Sequence, residues 1–174
     1  MAVVIIISAL ALAVNHYGAL PERARNARRR FQLAELNHAI ELYHADNSVY
    51  PTTDPLAGGN QPTTANFAYN DTFNGGYTPI FTSNYIGNLI PNYFSSLPKD
   101  PLPGPSTDSN CSPLGWQRNI IYISNGTNFK LIYRCASEGF PIPDTDPLAD
   151  PGSCSGGLCY AWAVSNDPTA TALW

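Results

Sequence analysis

The sequence is poor in charge. Only 13% of its 174 residues are Asp, Glu, Lys or Arg, about half the share of an ordinary soluble domain. Its polar surface therefore falls to Asn, Thr, Ser, Gly and Pro, a composition common among secreted and cell-surface proteins. A net charge of -4 argues against a nucleic-acid footprint spread over the domain. Catalytic signatures are missing as well: there is no G-x-S-x-G, no H-E-x-x-H and no glycine-rich phosphate loop. The expectation is a protein that is not an enzyme and has no catalytic residues. His16, His38 and His44 all fall in the N-terminal region, and His44 with Glu41 reads as part of a solvated helix face.

Charge is wholly absent from residues 1–14, MAVVIIISALALAV. Val3, Val4, Ile5, Ile6, Ile7, Leu10, Leu12 and Val14 form an apolar run shorter than the roughly 20 residues that span a bilayer. Tyr17 to Leu20 could carry it toward the interface, although Gly18 and Pro21 interrupt it. A secretory signal would need a basic start and a small-x-small cleavage site. Instead the run flows into a second helical segment, so residues 1–21 read as an apolar helix used in lipid or against copies of itself. Arg23, Arg25, Arg28, Arg29 and Arg30 follow at once. They read as a juxtamembrane collar, the plainer alternative being a solvated helix face. Basic residues after a span normally stay cytoplasmic. A leader ahead of Met1, or departure of the span into a polymer, would reconcile this with an extracytoplasmic domain.

Glu22 to Asp46 holds no Gly or Pro and is dominated by helix formers. Leu33, Leu36, Ile40 and Tyr43 are spaced 3, 4 and 3 apart, one apolar stripe, with Ala24, Ala27 and Phe31 as its approximate continuation. The helix should end near Asn47, before Pro51. Residues 22–50 are thus the amphipathic half of one long helix.

Residues 51–98 are rich in Thr, Asn, Gly, Pro and Tyr and read as a loop-rich connection, with a short helix near Asn84 to Leu89. Phe67, Tyr69, Phe73, Tyr77, Phe81, Tyr85, Tyr93 and Phe94 argue against disorder. Residues 99–174 should hold the sheet. In NIIYISNGTNFKLIYRC, from Asn119 to Cys135, two β-rich runs flank Asn125-Gly126, a strong hairpin signal. A two-residue loop would pair Tyr122 with Phe129 and Ile120 with Leu131, with Tyr133 on the same face and Lys130 and Arg134 on the other. A third strand is expected from Tyr160 to Ser165, presenting Tyr160, Trp162 and Val164. The helix stripe and this sheet face would form one core.

Four cysteines suggest two disulfides outside the cytosol. The short SGGL spacer favours Cys154–Cys159, which leaves Cys111–Cys135, although the other pairings remain open. A zinc site is the alternative, but no C-x-x-C pair or nearby His supports it. Asp144, Asp146 and Asp150 form a candidate calcium loop, with a rigid Pro-rich turn as the plain reading. Asn70, Asn110 and Asn125 each begin a glycosylation sequon.

The stretch ARNARRRFQLAELNHAIELYHADNSVYP resembles the segment after the membrane helix in bacterial type IV pilins and type II secretion pseudopilins. Its closing phrase is Tyr43, Asp46, Asn47, Tyr50 and Pro51. A second phrase, SSLPKDP from Ser95 to Pro101, resembles the turn that leads into the sheet of those proteins. Met1 and Ile5 depart from the family, which starts with a methylated Phe and has a glutamate fifth. The resemblance implies an α+β, pilin-like fold. A long N-terminal helix would protrude with its apolar half and pack its amphipathic half on a small antiparallel sheet with long loops and disulfides. It also implies a calcium site in the late loop for the major pseudopilins. The implied function is a structural subunit that polymerises with itself into an extracellular filament, after residence in the inner membrane and contact with pilus or secretion assembly machinery. The alternatives are a secretion pseudopilin and a monomeric, membrane-anchored surface-binding module.

Overall fold

The computed structural model describes residues 20–52, 85–102, 111, 118–139 and 141–167, and the backbone of 68–69 and 80–81. The apolar run with Val3, Val4, Ile5, Ile6, Ile7, Leu10, Leu12 and Val14 lies outside them. The described chain is α+β: one helix packed on a small, mainly antiparallel sheet, with two disulfides.

Helix α1 spans Leu20–Asn47. Pro21 sits in its first turn, where a missing N–H costs nothing, and Glu22 complements the helix dipole. At the far end the Asn47 side chain donates to the Tyr43 carbonyl at 2.8 Å. Ser48 then turns left-handed at φ 61° and donates its N–H to the His44 carbonyl at 2.7 Å.

The main sheet runs β2-β1-β3-β4-β8, from β1 (Ala68–Tyr69), β2 (Ile80–Phe81), β3 (Asn119–Ser124), β4 (Phe129–Arg134) and β8 (Ala161–Ser165). Only the β1–β2 pair is parallel. Two short strands thus come from the region expected to be a loop-rich connection with one short helix. A second sheet, β5-β7-β6, joins β5 (Ile142–Pro143), β6 (Cys154–Ser155) and β7 (Leu158–Cys159).

The hairpin register differs from the expected one. Ser124 pairs with Phe129, Tyr122 with Leu131 and Ile120 with Tyr133, so the loop has four residues, Asn125 to Asn128. The cause is the Asn125 side chain, which accepts from the N–H groups of Thr127 at 2.9 Å and Asn128 at 2.8 Å. This closes a wider turn than a two-residue loop. Gly126, at φ +88°, supplies its left-handed step. Moving the partner by two residues leaves every side chain on its original face.

One face of the sheet meets α1. Leu33, Leu36, Ile40, Ile120, Tyr122, Phe129, Leu131 and Trp162 belong to a single core cluster, with Tyr43 packed at its margin. Each fully buried Leu or Ile contributes about 1.5–3 kcal/mol. The other face is covered too, and all six residues of β3 are buried. There Ile121, Ile123, Ile132 and Ala161 cluster, and Tyr160 packs with them rather than beside Trp162. Tyr160 lies before β8, outside its alternation. No helix forms at 85–89. Asn88 adopts a left-handed φ of 63°, which breaks a helical run, and Tyr85, Ile86 and Leu89 enter the core from turns.

Candidate functional site

Helix α1 has two worked faces. With about 3.6 residues per turn, Asn26, Arg29, Leu33, Leu36 and Ile40 share one side, and all are buried. Gln32 is buried beside them. Toward the N-terminus the buried face therefore passes from apolar side chains to Asn26, Arg29 and Gln32. Ala24, Ala27 and Phe31, expected to continue it, are exposed instead.

Arg29 is fully buried. Its Nε and Nη2 take the Asp100 carboxylate at 2.8 and 2.9 Å, a bidentate fork. Nη1 donates to Asn26 Oδ1 at 3.0 Å, and Nη2 also contacts Glu138. Asp100 further accepts from Tyr133 Oη at 2.8 Å and the Leu102 N–H at 2.7 Å. Arg25 Nε donates to Glu138 Oε2 at 2.8 Å. Asn26 closes a two-way pair with the Glu138 backbone, at 2.9 and 3.1 Å. The helix is thus locked to the turn after Leu97 and to the loop after β4.

Burial alone would weaken the Arg29 charge, but Asp100 and Glu138 outweigh it and hold its pKa above the ordinary value. Burial would likewise raise the Glu138 carboxyl, yet Arg25 and Arg29 hold it below the usual glutamate range. Burial, then Asp100, push the Tyr133 phenol far up, so it remains a donor. Burial lowers the pKa of Arg118, with Glu138 opposing.

Three of the five clustered arginines are paired with carboxylates elsewhere in the fold. Arg25 and Arg29 serve this lock. Arg30 takes Asp146 at 2.8 and 3.2 Å and lies 5.5 Å over the Trp162 ring. One signal of this was legible: Arg29 precedes Leu33 by four residues, in phase with the stripe. The acceptors, Asp100 and Glu138, lie 71 and 109 residues further along and announce nothing locally.

The phrase from Tyr43 to Pro51 acts as a helix stop and clasp. Tyr43 meets Tyr93 edge-on at 5.3 Å, and Asp46 and Asn47 both bond the Tyr93 hydroxyl, at 3.0 and 3.1 Å. Tyr50 stacks on His44 at 4.1 Å and tilts against Phe129 at 4.7 Å. Tyr122 Oη donates to the Pro51 carbonyl at 2.8 Å.

The candidate calcium carboxylates take separate tasks. Asp146 holds Arg30. Asp150 lies 2.7 Å from Lys130 Nζ, an ion pair between two buried side chains. It also receives the Gly152 N–H at 3.3 Å. Asp144 is exposed near Gly157. Among the described residues no group of three or more His, Cys, Asp or Glu is placed to hold a metal ion. The disulfides are Cys111–Cys135 and Cys154–Cys159. Of the sequons, Asn125 is engaged in the hairpin turn, and Asn70 and Asn110 lie outside the described residues.

Among the described residues nothing covers the opposite face of α1. Leu20, Ala24, Ala27, Phe31, Ala34, His38, Leu42 and Ala45 are all exposed along it, with Leu20 at 43%, Phe31 at 62% and Leu42 at 45%. Among the described residues no helix is long and apolar enough to cross a membrane. No family model, curated protein or solved structure matches this chain.

Proposed function

We propose that this chain is a structural subunit that polymerises through its N-terminal helix into an extracellular, pilus-like filament, the resemblance of its Tyr43–Pro51 and SSLPKDP phrases being to type IV pilins and pseudopilins. One observation carries the reading. The outer stripe of the helix, from Leu20 through Ala24, Ala27 and Phe31 to Leu42 and interrupted by His38, is mainly apolar and exposed on the folded subunit. Such a stripe suits packing against further helices, because small residues let backbones approach and the larger ones fill the gaps. The inner lock supports the same reading. By fixing α1 to the sheet through Arg29 and Arg25, it would keep the subunit rigid while the outer face binds its neighbours.

Phe31→Glu and Ala27→Glu test this. Both positions are exposed, so the folded subunit should keep its near-UV circular dichroism and both disulfides. Electron microscopy should then show filaments for the wild type and none for the variants. Filaments of normal length from both variants would overturn the reading. A wild-type chain that stays monomeric while binding a surface ligand would favour the anchored binding module.

A further inference from the structure

We propose that Lys130 and Asp150 form an intramolecular amide bond in the folded chain, joining β4 covalently to the segment between β5 and β6. The bond is independent of how subunits assemble. Its ground is one juxtaposition. Lys130 Nζ lies 2.7 Å from Asp150 Oδ1, with the two side chains 2% and 8% exposed. Among the described residues no other group accepts a hydrogen bond from that nitrogen. An ammonium carries three donors, and a buried ion pair is well compensated only when its remaining donors are matched too. An amide nitrogen at this position would carry a single donor. The burial therefore suits the linked, neutral form better than the free ion pair.

The surroundings are apolar and both groups are held in place. Lys130 lies opposite Ile123 in the β3–β4 ladder, and Ile132 follows it along the same face. Ile123 and Ile132 belong to the cluster with Ile121 and Ala161 on this side of the sheet. Asp150 is fixed through its backbone. Its N–H donates to the Ala161 carbonyl at 3.0 Å, and its own carbonyl accepts the Ser153 N–H at 2.9 Å and the Ser153 hydroxyl at 2.8 Å. The Gly152 N–H donates to Asp150 Oδ1 at 3.3 Å. Amine and carboxyl are thus presented to each other by two anchored segments, an arrangement that raises the effective concentration of reacting groups.

The step needs no outside reagent. A proton passes from the Lys130 ammonium to the Asp150 carboxylate and leaves an amine and a carboxylic acid. Burial favours that transfer, because it removes two charges from an apolar site. The amine lone pair then forms a bond to Cγ. The bond from Cγ to Oδ2 breaks, and Oδ2 departs as water with one proton from the acid and one from the nitrogen. Nothing is oxidised or reduced. Oδ1 remains as the amide oxygen, and the Gly152 N–H stabilises the negative charge it carries while the carbon is tetrahedral. The bond closes a loop of about 20 residues, which on the chain-entropy account restricts the unfolded chain as a disulfide would. It spans most of the chain between Cys135 and Cys154, which neither disulfide crosses.

The test is mass spectrometry of the full chain, folded and oxidised, then denatured and reduced. The protein should be lighter than its sequence by the mass of one water molecule. Trypsin should fail to cut after Lys130 and should release 119–134 joined to 135–174. Fragmentation of that product should place the link between Lys130 and Asp150. Lys130→Met and Asp150→Ala should each restore the full mass and release the two peptides separately. Wild-type protein of full mass, cut after Lys130, would overturn the inference, and this measurement stands even where a variant fails to fold. A missing water that persists in both variants would overturn it too, because the loss would then lie elsewhere in the chain. Either result leaves the filament reading standing.

Discussion

The Tyr133 hydroxyl donates to Asp100 Oδ2 at 2.8 Å, the same oxygen that takes Arg29 Nε at 2.8 Å. One buried carboxylate therefore joins β4, α1 and the turn from Leu97 to Leu102. Its full neutralisation matters more than its attraction, because a buried charge that loses its partner costs more than the intact pair contributes.

Arg29→Met should accordingly lower the unfolding free energy by about 3–5 kcal/mol, since Asp100 and Glu138 lose their shared buried cation. Tyr133→Phe removes one hydrogen bond to a charged acceptor and should cost about 1.5–3 kcal/mol. The two act on one carboxylate, so the double variant should depart from the sum of the singles. Urea unfolding of the oxidised protein checks all three values. Strict additivity would mean that the two contacts are independent.

The pH dependence follows from Glu138. Its folded pKa is held below the ordinary glutamate value of 4.5 by Arg25 and Arg29, against the effect of burial. A depressed carboxyl contributes stability that is fully present above its unfolded value and disappears as the pH falls through its folded value. Urea midpoints measured from neutral pH downward should therefore drop below the ordinary glutamate value. Glu138→Gln should be less stable at neutral pH and show a smaller fall in acid. An identical acid fall in the variant would place the titrating group elsewhere.

Much of this was legible in local pattern. Leu33, Leu36 and Ile40 declare their face by spacing, and the strands flanking Asn125-Gly126 declare theirs by alternation. The hairpin register was missed because it depended on which backbone groups the Asn125 side chain would bond. The lock was missed for a different reason. Hydrophobic periodicity classes Arg29 as a surface residue, and only the fold brings Asp100 and Glu138 to it. Phe31 shows the opposite error. Its apolar character suggested the core stripe, yet its helical phase sets it on the outer face, nine residues before the buried Ile40. Strict helical phase would have placed it correctly, since Phe31 lies two residues, about 200° around the helix, from the buried Leu33.

Loop size ranks the two disulfides. Cys111–Cys135 spans a separation of 24 residues and Cys154–Cys159 one of 5. On the chain-entropy account their removal should cost about 3.5 and about 2 kcal/mol respectively. Paired Cys→Ser variants and chemical denaturation measure the order. Loss of Cys154–Cys159 should also speed amide exchange in β5, β6 and β7 well before β3 and β4, because the small sheet has only two residues per strand. Equal exchange in both sheets would show that they unfold as one unit.

The end of α1 offers a stabilising change. Ser48 is left-handed at φ 61°, a conformation that disfavours any residue with a Cβ by about 1–2 kcal/mol. Glycine removes that cost but gains freedom in the unfolded chain, which returns part of it. Ser48→Gly should therefore stabilise the protein by about 0.5–1 kcal/mol. Ser48→Val should destabilise it, since a branched side chain is least tolerated there. Asn47→Ala acts through bonds instead of backbone strain. It removes the donations to the Tyr43 carbonyl and the Tyr93 hydroxyl, and should cost about 1 kcal/mol. Tyr93→Phe should share part of that loss, because the Asn47–Tyr93 bond is common to both. Thermal midpoints of the four variants separate the two causes. If glycine at 48 fails to raise the midpoint while Asn47→Ala lowers it, the helix stop depends on its side-chain clasp and not on relief of the left-handed turn.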